Sequence, residues 1–184
     1  MSKASHFHRL KCSAALFFSL LLPWNLSGCT GKAFPALQEP PELASAFTSQ
    51  IAFSVSDLSG TALLTRTAEN TLRLDFQTPE TLNGYTAAID ENGVALSFGS
   101  VTVSLGDSLP DGALITVLEN ALTLSAQPEE VQTAFQDGFW QFSGTLPKAS
   151  GGFLLTVSSD GIPMELIAER AGISVVFSQT ETGS

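Results

Sequence analysis

The residue of this 184-residue chain with the most distinctive chemistry is Cys29, in "LSGCT". A thiol there is a nucleophile, half of a disulfide or an acceptor of lipid, and its neighbours decide which. Residues 1–26 begin with Lys3, Arg9 and Lys11, continue through the apolar run "AALFFSLLL" from Ala14, and reach Pro23 and small residues. A basic start, an apolar middle and a small-residue cleavage site are the layout of a secretion signal. The run is short of the roughly 20 apolar residues a membrane span needs. A cut at that small-residue site removes His6, His8 and Cys12. The remaining chain then has no histidine and no thiol other than Cys29, which rules out Ser-His-Asp and Cys-His catalysis and the usual His/Cys zinc sites. No phosphate loop, dinucleotide fingerprint or calcium loop is readable, so no cofactor is expected. The pairs Asp90-Glu91 and Glu129-Glu130 have the residue types of a paired-carboxylate hydrolase. They sit in turn-like sequence, where acidic side chains face water, so we expect no enzyme, no catalytic residue and no metal site.

"LSGC" resembles the lipobox of bacterial lipoproteins: a leucine, two small residues, then the cysteine that becomes the new N-terminus. That resemblance implies a diacylglycerol on the Cys29 thiol, cleavage between Gly28 and Cys29, and residence in the cell envelope, anchored on the extracytoplasmic side of a membrane. Each buried methylene contributes about 0.8 kcal/mol, and two or more acyl chains, such as palmitate, hold a protein stably where one does not. By the lipoprotein sorting pattern, Thr30 after the cysteine favours the outer membrane in a two-membrane cell.

From residue 29 onward, five basic residues (Lys32, Arg66, Arg73, Lys148, Arg170) face eighteen acidic ones, a net charge of −13. Such a chain is a poor partner for nucleic acid, and its folded part will not grip an anionic membrane surface. The acyl chains must supply the membrane affinity.

The organisation expected is a signal over residues 1–28, a lipidated N-terminus and Pro-bearing tether over 29–46, and one β-rich domain over 47–180. A brief helix is expected over 42–47. Period-two alternation then dominates. The inward sets are Ile51, Phe53 and Val55; Leu72, Leu74 and Phe76; Tyr85, Ala87 and Ile89; Val94, Leu96 and Phe98; and Val101, Val103 and Leu105. One helix follows near 110–124, capped by Ser108 with Asp111, carrying a stripe of Leu114, Val117, Leu118, Ala121 and Leu122, and ended by Pro128. A second meander shows hairpin signals at Asp137-Gly138, Gly151-Gly152, Asp160-Gly161 and Ala171-Gly172. Its inward sets are Trp140 and Phe142; Phe153, Leu155 and Val157; Met164 and Leu166; and Ile173, Val175 and Phe177. So many half-apolar strands and one helix leave a flat sheet with a large bare face, which soluble domains rarely tolerate. The expected fold is therefore mainly β: an antiparallel, strongly curved barrel or half-barrel, with the helix plugging its concave apolar face.

Gly60 to Phe98, with "LRLDFQTP" and "AIDENG", resembles the LolA/LolB-type lipoprotein-localisation superfamily in element order and spacing. The resemblance implies an open half-barrel closed by helices whose concave face holds acyl chains or a partner. The basic cavity residue of some carriers has no assignable counterpart, although Arg66 and Arg73 lie on the corresponding strands. The chain departs from those carriers in being lipidated itself and in lacking a long N-terminal helix. The expected function is a membrane-anchored lipoprotein whose half-barrel binds an acyl chain or other apolar ligand. The alternative is a regulatory lipoprotein that holds an envelope protein through the same scaffold, which RseB-like sensors resemble. The residues expected to line the site are Phe76, Ile89, Leu96, Phe98, Val103, Leu118, Trp140 and Phe142.

Overall fold

The computed structural model describes residues 39–106, 109–110, 112–127, 129–147 and 151–183. Cys29 lies outside them, as do Ser108, Asp111 and Pro128. The described residues form eleven strands and one α-helix, with a 3-10 turn at Glu169–Ala171 before the last strand, in the order β1 (Phe47–Val55), β2 (Leu58–Arg66), β3 (Leu72–Thr78), β4 (Tyr85–Asp90), β5 (Gly93–Phe98), β6 (Val101–Gly106), α1 (Leu114–Ser125), β7 (Gln132–Gln136), β8 (Phe139–Thr145), β9 (Gly152–Val157), β10 (Pro163–Ala168) and β11 (Ile173–Thr182). They form one antiparallel sheet ordered β6-β5-β4-β3-β2-β1-β11-β10-β9-β8-β7. The first and last strands meet in the middle, and each meander grows outward from them as a wing.

The expected mainly-β fold with one plugging helix is the fold found. Its logic lies in the chain order. β6 and β7 are the two outer edges, and α1 is the segment that joins them. The connection has to cross the concave side, where α1 packs against β3 and β4 on one wing and β8 and β9 on the other. No residue of α1 is exposed, so the helix is embedded in the curve of the sheet. Ile51, Leu64, Leu74, Leu118, Leu122, Phe142, Leu155, Leu166 and Val175 are almost fully buried in one continuous core that spans both wings and the helix.

Three local expectations differ, and one strand carries no sequence signal. The helix starts at Leu114, and its cap, Ala113, has no side-chain capping bond. Residues 42–47 are not helical: Leu43 is buried in the core, the Ala44 N–H donates to the Gly161 carbonyl at 3.0 Å, and β1 begins at Phe47. A side chain at Gly161 would run into the Glu42 carbonyl, which fixes a glycine at this turn. β7, "QTAFQ", has one large apolar residue and so no alternation to mark it. Its hairpin does form at the Asp137-Gly138 signal, where both residues take positive φ (54° and 88°) as a two-residue hairpin demands. Met164, expected inward with Leu166, is exposed, because the register shifts between Pro163 and Glu165.

Candidate functional site

In an antiparallel pair, residues directly opposite share a face. Following the register outward gives two rows on the concave side: Tyr85 opposite Phe98 opposite Val101, and Ala87 opposite Leu96 opposite Val103. The main packing of α1 on this wing is against β3 and β4, and these rows are left largely open. Tyr85 is 41% exposed, Leu96 37%, Phe98 52%, Val101 63% and Val103 52%. The Tyr85 and Phe98 rings stack with centroids 4.5 Å apart, which stiffens the patch. The third row, Ile89 opposite Val94 opposite Gly106, turns back into cover, with Val94 buried and Ile89 half-buried against the core. The open wing is thus an apolar patch bounded on one side by the core and on the other by the sheet edge.

The eight residues expected to line one cavity fall into three environments. Leu118, Trp140 and Phe142 are core residues, with Trp140 tilted against Phe135 at 5.2 Å. Phe76 and Ile89 are half-buried at the core margin, and Phe76 meets Phe53 edge-on at 5.6 Å. Leu96, Phe98 and Val103 form the open wing together with Tyr85 and Val101. Alternation places Tyr85 and Val101 on the inner face as well. What alternation does not carry is the reach of the helix, which decides which inward residues end up wet.

Polar groups at the helix–sheet boundary are poorly matched. Arg66 closes β2 on the concave side, nearly buried, with only a long 3.5 Å bond from Nη2 to the Asn70 Oδ1. Burial holds its guanidinium below the ordinary arginine value, and Glu119 on α1 pulls it back up. Among the described residues, Arg66 Nη1, Thr116 Oγ1 and Ser125 Oγ are buried without a hydrogen-bond partner. Arg73 differs: it is exposed on the convex face and pairs with Asp75 at 2.8 Å.

Asp90 and Glu91 lie in the β4–β5 turn, where the Asp90 carboxylate accepts the Asn92 N–H at 2.7 Å, an ordinary turn bond. With Glu69, Thr71 and Asn92 they line a polar depression of about 380 Å³ that holds no cationic side chain. Among the described residues no group of three His, Cys, Asp or Glu side chains could hold a metal. No described helix is long and apolar enough to cross a membrane.

No family model matches the chain, and no curated protein does. Among solved structures it is similar to an uncharacterized conserved protein from Thermus thermophilus, with 11% identity, 78% of this chain and 82% of that one covered, and a TM-score of 0.49. It is also similar to a LolA superfamily protein from Nitrosomonas europaea (11% identity, 77% and 87% covered, TM-score 0.38). A third likeness is to a structure of the CwlD amidase from Clostridioides difficile in complex with the GerS lipoprotein (19% identity, 75% and 84% covered, TM-score 0.42). Likeness of this degree concerns general architecture only, and the fold described above rests on the strand order and register of the chain itself.

Proposed function

We propose that this chain is a lipid-anchored protein of the cell envelope, not an enzyme, that holds a protein partner on the open concave wing of β4, β5 and β6. The lipid is the one expected on Cys29. The observation that carries the reading is the exposure of five large apolar side chains on one side of that wing. Full burial of such a side chain contributes about 1.5–3 kcal/mol, so covering five half-exposed ones gains on the order of 5 kcal/mol. A partner covering the wing takes that gain and brings further contacts of its own. An acyl chain lying on the same surface is covered on one side only. It realises about half of the roughly 12 kcal/mol that sixteen buried carbons provide, and the loss of its own motion opposes that gain.

The acyl-chain expectation is the second reading, and enclosing a chain there requires α1 to withdraw from β8 and β9. The three unpartnered buried polar atoms favour it. Two are on α1 and the third is on Arg66, beside Glu119 of α1, and leaving such an atom unpaired costs about 1–3 kcal/mol.

A photo-crosslinking residue placed at Val101 of the full chain, in cells expressing it, tests the first reading. The convex-face position Val176, also exposed, serves as control. A discrete protein adduct from Val101 and none from Val176 is expected. Equal labelling from both positions, or stoichiometric fatty acyl lipid extracted from the purified chain with no protein adduct, overturns it.

A further inference from the structure

We propose that the free edge of β6 accepts an extended, net-basic segment of the partner as an additional strand of the sheet. This rests on the partner-binding reading and specifies its geometry and chemistry. Among the described residues, β6 has β5 as its one neighbour, so its outer side presents unpaired backbone N–H and C=O groups. Natural sheets guard such edges with lysine, proline, bulges or very short strands. β6 reads "VTVSLG", with no charge and no proline. Its register with β5 is regular from Ala95 opposite Ser104 to Phe98 opposite Val101, and the one shift lies beyond, between Val94 and Ala95. An incoming strand would therefore place alternate side chains beside Val101 and Val103, continuing the rows of Leu96 and Phe98 on the concave side. Its other side chains would face Thr102 and Ser104. Backbone hydrogen bonds and alternate apolar contacts are the two components of strand addition. The opposite edge, β7, offers less: its one large concave residue, Phe135, is already engaged with Trp140.

Charge selects the occupant. From residue 29 onward the chain carries −13, and Glu80, Asp90 and Glu91 stand exposed in the loops of this wing. Of the three described cations, Arg66 is buried, Arg73 is paired with Asp75, and Arg170 is exposed between β10 and β11, on the other wing. A second copy would bring the same negative charge against this edge, and an anionic lipid surface would be repelled likewise. A segment with lysine or arginine between its apolar residues is attracted.

The test uses the full chain and a short synthetic peptide alternating lysine with valine, beside the same peptide N-methylated at every residue, because alternate methylation would clear the donors of one edge only. Methylation keeps the side chains and removes the strand's donors. The first peptide should bind, slow amide hydrogen exchange over 101–106 and leave 132–136 unchanged. N-methylation should weaken binding roughly tenfold or more, and so should Val101→Lys, which puts a charge on the edge. Raising ionic strength from about 0.01 to about 0.15 M shortens the screening length from about 30 to about 8 Å and should weaken it several-fold. Val176→Lys should change nothing. Equal binding of both peptides without slowed exchange overturns strand addition and leaves the wing as a docking face. Protection of 101–106 that rises with protein concentration and needs no peptide overturns it in favour of self-pairing. No binding of either peptide, alongside a discrete Val101 adduct in cells, overturns the basic-strand specification alone.

Discussion

Asp75 and Phe76 are neighbours on β3 that face opposite sides, and they test the two surfaces separately. Asp75 lies on the convex face, where Arg73 donates to its carboxylate from Nε at 2.9 Å and Nη2 at 2.8 Å, and the Thr86 hydroxyl donates at 2.6 Å from β4. The Arg73 hydrogen bonds hold the Asp75 carboxyl below the ordinary carboxylate range against a smaller opposing effect of burial. A depressed carboxylate pKa stabilises the fold above the unfolded value near 4 and loses that contribution as pH falls through the lower folded value. Asp75→Asn should therefore cost under about 1 kcal/mol at neutral pH, as an exposed pair warrants, and the cost should vanish in acid. Urea unfolding at two pH values checks both. Phe76→Asp, by contrast, removes the edge-on contact with Phe53 and places an unpaired charge at the core margin. It should destabilise by roughly 3 kcal/mol. The wet side of this strand is legible in the sequence as polar. Its three-residue network is not, because Thr86 comes from another strand and only register brings it to Asp75.

Among the elements, α1 shows where reading the sequence succeeds and where it stops. Its apolar stripe of Val117, Leu118, Ala121 and Leu122 marks the buried face. Its ends depart from the capping signals, because a helix whose apolar face is buried in the sheet is stabilised by that burial and depends little on its cap. The stripe says that Leu118 is covered. It does not say that the neighbouring space is already filled, which depends on volumes drawn from both wings. Leu118→Trp, which would narrow an open cavity harmlessly, is expected to overpack this site and cost about 1–3 kcal/mol. A thermal melt checks it, and an unchanged midpoint would indicate spare room under the helix. The strands follow the same pattern. Alternation identifies the inner faces of β4, β5 and β6, whereas β7 and the shifted Met164 escape because one lacks alternation and the other breaks it.

At the scale of the molecule, the expected anchor and the open wing divide the work: the acyl chains would hold the protein at a membrane, and its acidic domain would present an apolar face to a partner. Cys29→Ser should leave an unprocessed precursor without an acyl mass, and mass spectrometry of the membrane fraction decides this. The central claim is that the wing is a binding surface and not a misplaced piece of core. The most direct measurement is the double variant Phe98→Asp with Val103→Asp, followed by urea unfolding and by crosslinking from Val101. Both side chains are about half exposed and Phe98 stacks on Tyr85, so the unfolding free energy should fall by roughly 3 kcal/mol with the protein still folded, while the Val101 adduct disappears. A protein that unfolds would show the wing to be structural, and a stable protein that keeps its adduct would place the partner elsewhere.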